Sequence, residues 1–181
     1  MTIRVAHPQD ANEIAQVHIT TWQVAYRGLL RDSLLDHLSL SQRTLEWQEI
    51  LARTDGQIFV YTRAKDLATG TTEIVGFVAV GACRDADLQQ ESVGEVYALY
   101  LRPDCWGKGY GAALMTEALA QLQRQGYPRV TLWVLAGNQR AMRFYAAAGF
   151  CADGQTQEET LLGGVLAHEL RYCRLLTSPV A

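Results

Sequence analysis

Residues 94–119 read GEVYALYLRPDCWGKGYGAALMTEAL, and three kinds of sequence follow one another within them. Residues 95–101 form a strand-like run that Pro103 closes. Residues 106–111 then place three glycines and one lysine in six positions. Beyond them Leu114, Met115, Ala118, Leu119 and Leu122 recur at helical spacing, which predicts a helix over 112–122. A strand, a glycine turn and a helix make a cradle for phosphate. The first N–H groups of a helix lack partners within it, and its dipole favours an anion there. Glycine lets that backbone take φ > 0 and approach a ligand closely. Lys108 adds a point charge beside the amides.

The glycine pattern by itself has rivals. Gly107-x-Gly109-x-x-Ala112 satisfies the dinucleotide fingerprint, but that site needs an acidic residue about 20 positions later. The corresponding stretch, 130–135, has none. A turn without a ligand is the bland alternative, and three close glycines carry an entropic cost that a plain turn rarely needs.

Downstream, Gly126 reads as a helix-ending glycine and Pro128 prevents continuation. Residues 129–135 are almost continuously apolar, as in a buried central strand. Residues 136–150, AGNQRAMRFYAAAGF, follow: Asn138 can cap a helix, Gly149 ends it and Phe150 starts a strand.

These two stretches carry a resemblance. Trp106-Gly107-Lys108-Gly109-Tyr110-Gly111 is similar to the Gln/Arg-x-x-Gly-x-Gly/Ala motif of the GCN5-related N-acetyltransferase (GNAT) family, with Trp106 where Gln or Arg is usual. Residues 138–150 match the second signature, Asn-x-x-Ala-x-x-Phe-Tyr-x-x-x-Gly-Phe, at every defining position. The resemblance implies an α/β (α+β) fold: a mixed, mostly antiparallel sheet of about six or seven strands with helices on both faces. Its cofactor cleft lies between two splayed central strands, 95–101 and 129–135. The implied activity is direct transfer of an acetyl group from acetyl-CoA to a primary amine of a small molecule or peptide, with coenzyme A as product. The alternative is a non-catalytic acyl-CoA-binding or regulatory module on the same fold.

The resemblance also implies a site. The amides of 106–112 (Trp106, Gly107, Lys108, Gly109, Tyr110, Gly111 and Ala112) would hold the cofactor's pyrophosphate. A bulge in the strand would free main-chain groups of Leu99, Tyr100 and Leu101 for the pantetheine arm, and Asn138 would hydrogen-bond the cofactor. Without a bulge, period two puts Glu95, Tyr97, Leu99 and Leu101 on one face and Val96, Ala98 and Tyr100 on the other.

Acyl transfer to an amine sets chemical demands on those residues. At neutral pH only about one alkylamine in a thousand is unprotonated, so a base is needed. The oxyanion needs a donor and the departing thiolate a proton. Glu95, a carboxylate in an otherwise apolar strand, is the candidate base; the alternative is a strand-end glutamate in solvent. Tyr145 is the candidate acid, or else core. The N–H of Leu99 or of Leu101 could serve the thioester carbonyl. Trp22, Tyr26 and Tyr97 are candidates for the acceptor wall, or else packing residues. His18 and His37 read as surface or interhelix residues.

With 181 residues, 49% of them hydrophobic, the chain reads as one domain, 1–181, with its core about 3–174. A formal net charge of −3 without a basic cluster argues against a nucleic-acid surface. The four cysteines form no C-x-x-C pair, so no metal site is expected and reduced thiols in a cytoplasmic protein are. No apolar run approaches the ~18 residues of a membrane span. A homodimer is compatible with the sequence.

The rest of the chain supplies the frame. Residues 3–5 read as a strand, and Asp10 with Glu13 as a capping box for a helix ending before Gly28. Helical regions follow over 33–38 and 41–51, the latter capped by Ser41. Residues 57–63 and 73–80 read as a hairpin, with Gly76 marking a bulge or a close contact. Residues 84–92 read as a loop on the acceptor side and 165–172 as the last strand, pairing after Phe150. Residues 157–164 show no motif, and 177–181 read as a frayed tail.

Overall fold

A computed structural model describes residues 2–53, 56–66, 68–161 and 165–176; the expected tail at 177–181 lies outside them. The elements are β1 (Thr2–Val5), α1 (Ala11–Ala25), α2 (Asp32–Asp36), α3 (Leu40–Ala52), β2 (Gly56–Asp66), β3 (Thr71–Ala82), β4 (Val93–Leu101), α4 (Tyr110–Arg124), β5 (Arg129–Leu135), α5 (Gln139–Ala147), β6 (Cys151–Leu161) and β7 (Val165–Leu175). The strands form one seven-stranded sheet in the order β1-β2-β3-β4-β5-β7-β6. Only β4 and β5 pair in parallel; every other neighbour is antiparallel. This is the mixed, mostly antiparallel sheet that the family resemblance implied.

Apolar side chains alternate between the two sheet faces, and helices cover both. Leu114, Met115, Ala118 and Leu122 of α4 pack with Val78, Val80 and Val96 on one face. Ile14 and Val17 of α1 and Trp47 of α3 pack with Val60, Ile74 and Phe77 on the other. Burying each such side chain contributes roughly 1.5–3 kcal/mol, so the helices are held mainly by these stripes. No helix among the described residues is long and apolar enough to cross a membrane.

Two details position the cleft. First, β4 carries a bulge. Ala79 pairs with Ala98 and Val80 with Val96, so Tyr97 is the extra residue. The simple two-face alternation expected for 95–101 therefore breaks there. Second, β4 and β5 pair only from Val93 with Arg129 to Val96 with Leu132. Beyond that point they part. Gly76 sits where the sequence placed a close contact: a Cβ there would lie 2.5 Å from Leu101 Cδ1.

Of the three predicted N-caps, Asn138 holds and two shift. Asp10 does not cap α1 with its side chain. Its carboxylate accepts from the His7 N–H at 2.7 Å and from Arg4, because the preceding 3-10 turn needs that acceptor first. Glu13 instead accepts from the Ile74 N–H at 2.8 Å and ties α1 to the sheet. Ser39, not Ser41, caps α3, accepting from the Gln42 N–H. Of the stretch without a motif, residues 157–161 belong to β6, and 162–164 lie outside the described residues.

Candidate active site

The parting of β4 and β5 opens a cleft of about 730 Å³. Its two halves are built differently.

One half is mainly backbone. Gly107 and Gly109 take φ of +74° and +82°, and a Cβ on either would meet nothing within 4 Å. These glycines are required by backbone conformation, not by space. Gly109 is the N-cap of α4 and offers no side-chain cap. The first amides of α4 are therefore free for an anion. Trp106, Gly107, Gly109, Gly111 and Ala112 all line the cleft. Trp106, the departure from the family motif, holds the turn to the strand. Its indole N–H donates to Leu101 O at 2.8 Å, and Arg140 lies 4.4 Å over its ring. Arg140 thus brings a cation that the sequence pattern did not reveal. Lys108 and Tyr110 do not line the cleft. Lys108 is exposed, and the Tyr110 ring stacks on Tyr61 at 4.7 Å. Asn138 lines the cleft and accepts the Ala141 N–H at 3.1 Å as the cap of α5.

The strand edge narrows the expectation for 99–101. Arg102 N–H donates to Val75 O. Backbone groups alternate sides along a regular ladder, so those of Tyr100 also face β3, and those of Leu99 and Leu101 face the cleft. Tyr100 main chain is thus committed to the sheet. Leu101 O is taken as well, by the Thr21 hydroxyl and the Trp106 indole, both at 2.8 Å. Among the described residues, what remains open is the amide and carbonyl of Leu99 and the amide of Leu101.

The other half is made of side chains. Thr21, Ala25 and Tyr26 of α1 reach it. Trp22 does not: it is buried among Leu30, Leu35, Leu135 and Ala167, one helix face away. Of the two histidines, His18 is buried between helices, accepting from the Trp47 indole at 3.2 Å and stacking on Tyr100. Tyr97 lines the cleft, and its hydroxyl donates to Ala82 O at 2.6 Å.

Tyr145 lines the cleft where the two halves meet, and no group among the described residues hydrogen-bonds its hydroxyl. Burial raises its pKa well above the usual phenol value, with Tyr100 and Glu169 adding to the shift. The phenol therefore keeps its proton at any working pH.

Glu95 reaches the cleft but is only 1% exposed. Its oxygens accept three N–H groups of Arg84: the amide at 2.9 Å, Nε at 3.2 Å and Nη2 at 2.6 Å. This is neither the free base that the sequence suggested nor a strand-end glutamate in solvent. Both carboxylate oxygens are already engaged by Arg84, which leaves little room for a substrate ammonium.

Several site residues had no clear signal in the sequence. Arg171, 5% exposed, binds Asp85, Asp87 and Asp153, and so clamps the loop carrying Arg84 onto β6 and β7. The Trp133 indole also donates to Asp85. Gln157, Glu159 and Glu169 line the wall. Glu169 had the same sequence signal as Glu95, a lone carboxylate in a mostly apolar strand. Cys83, Asp85 and Glu95 bring possible metal ligands within 4.8 Å of one another. The two carboxylates are already engaged by Arg171, Trp133 and Arg84.

Comparison with known proteins bears on the family and the fold. The model of the acetyltransferase (GNAT) family matches residues 21–150. An N-acetyltransferase of unassigned substrate from Archaeoglobus fulgidus is 31% identical over 147 residues, 81% of this chain and 90% of that protein. The similar YuaI protein of Bacillus subtilis is 27% identical over 81% of this chain and 78% of its own. Among solved structures, the PaiA N-acetyltransferase of Thermoplasma acidophilum in complex with coenzyme A superposes with a TM-score of 0.65 at 17% identity, covering 97% of this chain and 100% of that one. A ribosomal-protein-alanine N-acetyltransferase from Brucella melitensis gives 0.66 at 18%, covering 97% and 100%. At such identities the structures speak to the fold alone. The matched family model covers most of the chain and both signature stretches, so this chain belongs to the acetyltransferase (GNAT) family and is an acyltransferase.

Proposed function

We propose that this enzyme transfers an acetyl group from acetyl-CoA directly to a primary amine of a small molecule or peptide. One observation carries the reading: β4 and β5 separate beyond Val96 and Leu132, beside the uncapped start of α4 and the unpartnered hydroxyl of Tyr145. A long ligand with an anionic end and a thioester end fits that sequence of features. Acetyl-CoA supplies an activated acyl group when bound.

The chain's own groups then divide the work. The amides from Gly107 to Ala112 bind the diphosphate, with Arg140 adding charge. Leu99 pairs with the pantetheine arm as a neighbouring strand would, and Asn138 borders the same path. The Leu99 or Leu101 N–H donates to the thioester oxygen as charge develops there. Tyr145 gives its proton to the sulfur as the C–S bond breaks and the C–N bond forms. The nitrogen's remaining surplus proton restores the phenol. Tyr26 and Tyr97 border the acceptor.

The test is release of free thiol from acetyl-CoA with a panel of primary amines: n-butylamine, ethanolamine, 1,4-diaminobutane, phenethylamine and lysine amide. Thiol release that depends on amine supports the reading. Failure of coenzyme A to raise the thermal midpoint, together with no thiol release, would overturn it.

A further inference from the structure

Glu95, Glu159 and Glu169 line the cleft from the sheet, and the surroundings of Glu95 and Glu169 differ. Glu95 pairs with Thr131, where β4 and β5 are still joined. It is held by three N–H groups of Arg84. Glu169 pairs with Leu135, at the level where β4 has left β5. It accepts one hydrogen bond, from Gln157 Nε2 to Oε2 at 2.9 Å. Among the described residues, Oε1 has no partner.

Among the described residues no cation forms an ion pair with Glu169, and Arg84 acts on it only at a distance. Glu159 faces it from β6, Glu95 and Tyr100 from β4, Tyr145 from α5 and Tyr26 from α1. Arg84, from the loop after β3, lies on Glu95 and over the Tyr97 ring. Arg171, on the same face of β7, is committed to three aspartates. Burial raises the Glu169 pKa above the usual carboxylate range, with Glu159 and Glu95 adding to the shift and the Gln157 hydrogen bond and the Arg84 charge offsetting only part of it. A carboxylate withdrawn from water and lacking a cation is costly. An alkylammonium entering the cleft would supply that cation.

We propose that Glu169, and not Glu95, binds the acceptor's ammonium and takes its proton. The inference rests on the acetyl-transfer reading above and assigns its missing base. One N–H proton of the ammonium passes to Glu169 Oε1, and the N–H bonding pair stays on nitrogen as the attacking lone pair. Glu169 then returns the proton to water at the cleft mouth. A carboxylate whose pKa is raised toward the working pH is a better base than an ordinary one, and Glu169 keeps Oε1 open while Arg84 occupies both oxygens of Glu95.

The experiment compares wild type, Glu169→Gln and Glu95→Gln with the best amine of the panel. Glu169→Gln should lower kcat/KM by about 100-fold and abolish the acid limb of its pH profile. It should leave the thermal shift with coenzyme A unchanged, while Glu95→Gln should keep the limb. A Glu169→Gln profile that retains the wild-type acid limb overturns the proposal. A second measurement does not need turnover: carbon NMR of the glutamate carboxyls, with assignment by the Glu169→Gln spectrum. Added n-butylammonium should lower the Glu169 titration midpoint, and a midpoint that does not move also overturns the proposal. If no amine releases thiol from wild type, the acetyl-transfer reading fails, and the titration still decides the ammonium site.

Discussion

The two halves of the cleft solve their problems with different materials. The half at the start of α4 uses main-chain amides set by glycines at φ of +74° and +82°. The opposite half uses carboxylates, arginines and phenols held by other side chains, with Arg171 as the clamp. The difference teaches which half tolerates change. Amides carry no titratable charge and depend only on local conformation. Side-chain networks depend on burial, on partners far away in sequence and on pH.

The largest expected effect breaks the side-chain half. Arg171→Leu leaves Asp85 and Asp153 without their cation and should cost about 3–5 kcal/mol, as removing one partner of a buried ion pair does. Urea unfolding measures this loss, and a cost under about 1 kcal/mol would show that the clamp is ornamental.

The next prediction uses pH. Burial pushes the His18 pKa down to about 3, from an ordinary 6.5. The unfolded chain then binds a proton that the folded chain refuses. His18 stabilisation is complete above pH 6.5 and is lost as pH falls toward about 3. The slope from this group approaches about 1.4 kcal/mol per pH unit. His18→Gln should flatten the acid side of a stability–pH curve, and an unchanged curve would reject the assignment.

A third prediction sits where the halves meet. Tyr145→Phe should cut kcat by about tenfold or more, the low end for a positioned acid, and leave coenzyme A affinity near wild type. Unchanged turnover would remove the phenol from the proton path. A fourth addresses the backbone half: Gly109→Ala should cost about 1–2 kcal/mol, because φ of +82° is strained for a residue with a Cβ. It should weaken coenzyme A binding without shifting the pH profile. A shifted profile would mean that the halves are coupled. The smallest effect is expected from Glu95→Gln. The Arg84 side chain is 65% exposed and can turn to water, so activity should fall less than in Glu169→Gln.

The contrast between halves is also a contrast in legibility. The glycine turn, the Asn138 cap and the apolar stripe of α4 all come from short sequence intervals, and each appears where the sequence placed it. Trp22 stayed open between acceptor wall and packing because helical periodicity shows a buried face but not which of two neighbouring faces borders a cleft; it is a packing residue. Glu95 and Glu169 look alike as isolated acids in strands. Only the placement of Arg84 beside one and Gln157 beside the other separates them.

The sequence by itself determined the strand–glycine–helix cradle, the second signature and therefore the family, because φ > 0, capping and periodicity are local properties of the chain. The tertiary structure alone decided the bulge at Tyr97, the parting of β4 from β5 and the pairing of Arg171 with acids up to 86 residues away. Those features arise from contacts between distant segments, whose free energies depend on burial and partners that no local pattern records.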